Sequence, residues 1–222
     1  NLFEPEFADD ILRWWAGDKV RSQNNEKAIE HMNQVYGLRK SKTLKVDVVG
    51  GENTARPIDF SGSNIVLTNT KGTGTDVGES VTDITLTTDN GPIYLSLKLG
   101  ATTTFFNVGI RTILTPDEIE NGVITDKNGL KLLGMFGIDN DKFCRVFQGA
   151  KGGKPGYKGV ESVRYDKTNL KHLMRSGVGY GYHVIHKFTN GSVLSKKMTK
   201  SKMEDAVRTG RMKLFYGGMT GT

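Results

Sequence analysis

The first third of the chain repeats its apolar positions with the period of an α-helix. Residues 5–16 offer apolar side chains for packing and predict a short helix. Residues 22–36 predict a second helix, which Gly37 ends. The apolar positions of this second helix fall on one face at 3.6-residue spacing: Ala28, Ile29, Met32, Val35 and Tyr36.

The pattern then changes to the alternation expected of β-strands. Short β-like runs occur at residues 44–49 and 65–70, and two longer alternating segments, 81–88 and 93–99, flank Asp89-Asn90-Gly91-Pro92. This arrangement predicts a β-hairpin. If Asn90-Gly91 forms a two-residue loop, Thr85 faces Ser96 and Asp83 faces Lys98. The apolar face then belongs to the core and comprises Ile84, Leu86, Leu95, Leu97 and Leu99.

The second half of the chain mixes both periods. A helix start at Thr115-Pro116 is followed by predicted helices at 129–136, 139–147, 167–175 and 202–208. Segments 180–188 and 192–198 around Asn190-Gly191 predict another hairpin, and 211–216 a last strand. We therefore expect an α/β protein with a mixed central sheet flanked by helices.

Composition narrows the class of protein. The chain has 222 residues and one cysteine, Cys144, so it forms no internal disulfide and has no cysteine cluster for zinc. No apolar run approaches the length of a membrane span, and the N-terminus has no signal-peptide pattern. We expect a cytoplasmic protein, in the host cytoplasm if it is viral. The absence of an initial Met and the Gly- and Thr-rich end are typical of a chain cut from a longer protein.

Charge is distributed unevenly along the chain. Residues 1–141 contain 14 basic and 20 acidic residues, whereas residues 142–222 contain 17 basic and 4 acidic ones. We interpret 1–141 as an α/β core and 142–222 as a basic subregion packed on it. A surface of one sign attracts polyanions, so this subregion predicts DNA bound mainly through its phosphates. The alternative is a solvated face that only aids solubility.

The candidate phosphate contacts fall into two groups. The first is a glycine-rich basic loop, and the second is the densest basic run of the chain. Together they are Lys151, Lys154, Lys158, Lys196, Lys197, Lys200, Lys202, Arg208 and Arg211. His183 and His186 lie three apart on a predicted strand and therefore on opposite faces, which argues against shared metal ligation. Each is expected to be a surface or half-buried polar contact.

The first hairpin resembles the PD-(D/E)XK nuclease superfamily. The resemblance rests on Asp83, the turn after it, Ser96-Leu97-Lys98 and the preceding helix with Glu26 and Glu30, within residues 20–110. It implies a restriction-endonuclease-like core in which Asp83 and Glu26 bind Mg²⁺ or Mn²⁺ and Lys98 orients the attacking water. Glu30 is the second choice for the helix position, and Glu79 could also complete the cation's ligands. Ser96 replaces the usual second acid and could bind the cation only through a weak contact or a water molecule.

The resemblance implies a metal-dependent DNA endonuclease. Two other functions stay open: an inactive nucleic-acid-binding protein with this fold, and a viral DNA-packaging or assembly protein. Without catalysis, Asp83 and Lys98 would be an ordinary cross-strand ion pair, worth under about 1 kcal/mol. The sequence contains no phosphate-binding P-loop, no dinucleotide fingerprint and no base beside Cys144. It leaves open whether the protein acts as a monomer or a homodimer.

Overall fold

A computed structural model describes residues 2–49, 56–67, 76–101, 112–151 and 167–210. The chain forms two compact units. The first comprises residues 1–54, 69–107 and 176–205, and the second comprises 55–68, 108–175 and 206–222. Each unit thus takes segments from both sides of residue 141, so the division in charge at that point does not coincide with the division in structure.

A five-stranded mixed sheet forms the centre of the first unit. Its strands lie in the order β1 (Leu44–Val48), β4 (Ile84–Thr88), β5 (Gly91–Leu99), β6 (Tyr182–Lys187) and β7 (Val193–Met198). β5 and β6 are parallel, whereas every other neighbouring pair is antiparallel. The expected α/β fold with a mixed sheet is therefore confirmed.

Helices α1 (Phe3–Ala16) and α2 (Gln23–Tyr36) pack on one face of this sheet. The Ser22 hydroxyl caps α2 by accepting the Asn25 N–H, and Gly37 ends the helix with φ of 67°. The sequence predicted both helices. Their apolar sides meet the inward side chains of β4, β5 and β6 in one cluster, which includes Phe7, Ile11, Ile29, Met32, Ile84, Leu86, Leu95, Leu97 and Ile185.

The opposite face of the sheet carries a smaller apolar cluster. Val77 and Val81 pack there with Tyr94 of β5 and with Tyr182 and Val184 of β6. A 3₁₀ turn, Glu79–Val81, contacts β5 on this side. A Cβ atom at position 78 would lie 2.8 Å from the Tyr94 ring, so glycine is required for this close approach.

The second unit is mainly helical in its described part. It contains α3 (Pro116–Glu120), α4 (Lys127–Met135), α5 (Asn140–Lys151) and the two-stranded ribbon of β2 (Ile58–Asp59) and β3 (Val66–Leu67). Helices α6 (Lys167–Val178) and α7 (Lys200–Thr209) contribute segments to both units. Within the residues described, no helix is long and apolar enough to cross a membrane.

Candidate functional site

The β4–β5 hairpin forms as predicted, but its register is shifted by two residues. The loop is Asp89-Asn90, because Thr88 pairs with Gly91 and Thr85 pairs with Tyr94. The predicted pairing of Asp83 with Lys98 is therefore wrong, and the same register places Asp83 opposite Ser96. The Asp89 carboxylate accepts hydrogen bonds from the Lys42 N–H at 2.6 Å and the Thr43 hydroxyl at 2.7 Å, which fixes the turn at this residue.

Asp83 lies at the point where the chain enters β4. Its backbone N–H donates to the Leu95 carbonyl at 2.7 Å, and its carboxylate Oδ2 accepts the Leu97 N–H at 2.6 Å. The side chain therefore supplies a hydrogen-bond acceptor to the backbone of β5 just before β4 begins. Burial raises the pKa of the carboxyl, while the Leu97 N–H, the Lys98 ammonium and the Ser96 hydroxyl act in the opposite direction.

Ser96 and Lys98 lie on the same sheet face as Asp83, because alternate residues of β5 share a face. Ser96 is 1% exposed, and Lys98 is half-buried. The parallel strand β6 places His186 next to Lys98. His186 Nε2 donates to the Gly100 carbonyl at 2.7 Å, and its ring lies 4.0 Å from the Phe188 ring. The structure thus brings together an acid, a hydroxyl, an ammonium group and an imidazole.

Glu26 does not join this group. It is exposed on α2, whose buried residues Ala28, Ile29 and Met32 pack with Ile84 and other residues on the opposite face of the sheet. The prediction that Glu26 lies near Asp83 is therefore wrong, because α2 covers the other face of the sheet. The second choice, Glu30, accepts the Trp14 indole N–H at 2.6 Å and lies on the same helix.

Glu79 is the candidate acid on the Asp83 side of the sheet. It is exposed and begins the 3₁₀ turn that contacts β5. Across the described part of the chain, no group of three or more His, Cys, Asp or Glu residues could hold a metal ion. Asp83 is thus a carboxylate beside a lysine rather than part of a preformed cage of protein ligands. The outer end of β5 also differs from expectation, since Leu99 is 54% exposed rather than in the core.

Part of the predicted basic surface follows the outer strand of the sheet. β7 is an edge strand, and Lys196, Lys197, Lys200 and Lys202 are exposed along it and at the start of α7. Lys196 pairs with Val184 and therefore shares the sheet face of Ser96 and Lys98. Arg208 is exposed near the end of α7. Lysines on an edge strand also prevent unwanted strand pairing, so their positions fit two roles.

The remaining predicted phosphate contacts are Lys151, Lys154, Lys158 and Arg211. Lys154, Lys158 and Arg211 lie outside the described residues, as does the strand predicted at 211–216. Lys151 is described only as the last residue of α5.

A network of buried polar side chains, which the sequence did not predict, joins α2 to β6 and β7. The ring of His183 is fully buried, and its Nδ1 lies 3.2 Å from the Tyr36 hydroxyl while its Nε2 lies 2.7 Å from Ser195 Oγ. His31 Nδ1 lies 2.8 Å from the same Ser195 oxygen. Burial lowers the pKa of His183 to about 3, helped by the nearby His31, Lys202 and Lys197. His183 is therefore a neutral core residue rather than a surface contact.

Comparison with known proteins adds no family assignment. No protein-family model, curated protein or solved structure matches this chain.

Proposed function

We propose that this protein is a DNA-binding phosphodiesterase, a nuclease whose reactive centre is Asp83 with Lys98. The observation that carries the proposal is the hairpin geometry: a half-buried carboxylate and a half-buried ammonium group share one face of the sheet beside buried Ser96. The sequence resemblance to PD-(D/E)XK nucleases supports the same assignment. Lys196 of the edge strand β7 lies on that face and would supply a phosphate contact there.

The residues at Asp83 fit a Mg²⁺ ion that is shared with the substrate. Such ions are commonly held by one or two carboxylates together with substrate phosphates and water. Asp83 uses Oδ2 for the Leu97 N–H, so Oδ1 is the oxygen that would bind the cation. When bound, the cation would activate a water molecule and reduce the negative charge of the phosphate.

Lys98 supplies the second part of the chemistry. Its ammonium group lies close enough to Asp83 to lower the carboxyl pKa against the effect of burial. The same positive charge would stabilise the negative charge that develops on the phosphate oxygens during attack. Ser96 is buried and its hydroxyl hydrogen-bonds to Asp83, so its role is to orient the carboxylate rather than to contact DNA.

DNA binding without cleavage is the second candidate function. Two observations favour it: the Asp83 carboxylate already has a structural partner in the Leu97 N–H, and Glu26 lies on the other face of the sheet. The basic edge strand would then act alone.

Cleavage of supercoiled plasmid separates the two functions. The nuclease proposal predicts nicking with Mg²⁺ or Mn²⁺, none with EDTA, and a loss of at least about 100-fold in Lys98→Ala, since removing one charge-stabilising group from a phosphoryl or acyl centre costs this much. The matched control is Lys45→Ala, an exposed lysine on β1 paired with Asp47 at 2.9 Å. Equal nicking by Lys98→Ala and Lys45→Ala would contradict the assignment. DNA binding with no metal-dependent nicking would establish the second function.

A further inference from the structure

We infer that α4, the turn after it and α5 form a helix-turn-helix that binds duplex DNA, with α5 in the major groove. This motif belongs to the second unit and contains none of the residues assigned to the nuclease centre. The inference rests on the proposed function only for the class of ligand, a nucleic acid.

The turn between the helices has the length and the hydrogen bonds of such a motif. Four residues, 136–139, separate α4 from α5. Gly137 has φ of 64°, its N–H donates to the Gly134 carbonyl at 3.0 Å, and the Ile138 N–H donates to the Leu133 carbonyl at 2.9 Å. This pair of bonds is a Schellman motif, which ends a helix and redirects the chain sharply. DNA-binding helix-turn-helix motifs use a turn of three or four residues that often contains glycine.

Buried apolar residues lie in α4, in the turn and in α5. Leu132 and Phe136 are buried at the end of α4, Ile138 is buried in the turn, and Phe143 and Cys144 are buried on α5. The short helix α3 packs against α5 and contributes buried Ile119. Asp139 caps α5 by accepting the Lys142 N–H at 2.9 Å. Helix α5 is therefore held by its N-terminal cap and by packing against α3, and its side chains at 141, 142 and 145 are exposed.

The exposed side carries charges that complement DNA. Lys127 and Lys131 are exposed on α4, and Lys142 and Arg145 are exposed on α5. Lys142 and Arg145 are three residues apart and lie on one face of α5. Asp141 is the exposed acid within α5, and Asp139 is used as the cap. The cations of α4 and Lys142 of α5 are placed to contact phosphates, whereas Arg145 of α5 is placed to contact base edges.

The dimensions of α5 also fit this ligand. A helix with its side chains is about 10–12 Å wide, and the major groove of B-DNA is about 12 Å wide. An arginine on the exposed face of such a helix can donate two hydrogen bonds to guanine, the commonest specific contact in this groove.

Binding of the full chain to labelled duplex, single-stranded DNA and RNA tests the inference, measured by fluorescence anisotropy in EDTA so that no cleavage occurs. We expect preference for the duplex. Arg145→Ala should weaken duplex binding about 10- to 100-fold, and Lys142→Ala should reduce the salt dependence by about one counterion. The matched control is Lys171→Ala, an exposed helical lysine of the same unit outside the motif, which should change binding less than about two-fold. Methyl green, a major-groove ligand, should compete with the protein, and netropsin, a minor-groove ligand, should not.

Each other result overturns the inference. Unchanged duplex binding by Arg145→Ala and Lys142→Ala, preference for single strands or RNA, or competition by netropsin alone would do so. The outcome is separable from that of the nuclease proposal: Arg145-dependent duplex binding by a protein that nicks no plasmid rejects only the nuclease, whereas metal-dependent nicking with Arg145-independent binding rejects only the helix-turn-helix. No binding to any nucleic acid rejects both.

Discussion

Asp83 allows its structural and chemical roles to be separated by two substitutions. In Asp83→Ala the Leu97 N–H loses its acceptor, and Leu97 is only 7% exposed, so water has little access to that group. A buried donor left without a partner costs about 1–3 kcal/mol. In Asp83→Asn the side-chain amide oxygen can still accept the Leu97 N–H, and the half-buried charge is removed. The asparagine variant should therefore be at least as stable as the wild type.

Urea unfolding and thermal melting measure this difference. A loss of about 2 kcal/mol in Asp83→Ala corresponds to a fall in Tm of roughly 4–8 °C for a chain of this size. The pH dependence has a definite sign. Because burial raises the pKa of Asp83, the folded state binds its proton more tightly than the unfolded state. Asp83→Asn should therefore gain stability relative to the wild type as the pH rises from about 3.9, the unfolded pKa, through the raised folded value.

Two outcomes would refute the structural role of Asp83, in which its carboxylate accepts the Leu97 N–H. One is equal destabilisation by Asp83→Asn and Asp83→Ala, which would mean that the negative charge itself stabilises the fold. The other is an unchanged stability of Asp83→Ala, which would mean that the Leu97 N–H has a ready alternative partner.

Two further predictions concern other parts of the fold. Because burial lowers the pKa of His183 to about 3, the unfolded chain binds this proton at a higher pH than the folded chain, and His183 should reduce the free energy of unfolding by about 2 kcal/mol between pH 7 and pH 5. Urea unfolding of the wild type and of His183→Gln at both pH values measures this loss. An equal loss in the variant would contradict the prediction. Gly137→Ala should destabilise the protein by about 1–2 kcal/mol, because this residue has a positive φ. Gly134→Ala should stabilise it by about 0.5–1 kcal/mol, because the residue lies in the exposed last turn of α4 with open space around the added Cβ. Thermal melting that shows a change of the same sign for both variants would reject the turn geometry.

Local pattern was enough to predict much of the fold. Helix α2 was expected at residues 22–36 and extends from Gln23 to Tyr36, and the alternation of the first hairpin identified the buried Ile84, Leu86 and Leu95. Its register could not be read from the same pattern, because a shift of two residues keeps every side chain on its face. The turn at Asp89 is fixed by Lys42 and Thr43, more than forty residues away.

The candidate site was only partly readable from the sequence. Asp83, Ser96 and Lys98 are close in the chain and in one hairpin, so their shared face follows from alternation. Glu26 required knowing which face of the sheet α2 covers, and that choice depends on the packing of its apolar side against Ile84 and Leu95. His186 became a neighbour of Lys98 through parallel pairing across a long connection. The helices of the proposed helix-turn-helix were both predicted, but Gly137 between them was not recognised as its turn.

The most direct test of the proposed reactive centre is plasmid nicking by Asp83→Asn under conditions where its DNA binding matches that of the wild type. This variant removes the anionic oxygens and keeps an acceptor for Leu97. The account predicts metal-dependent nicking by the wild type and a loss of at least about 100-fold in the variant at equal DNA occupancy. Nicking at an unchanged rate would show that Asp83 serves only to complete the strand ladder.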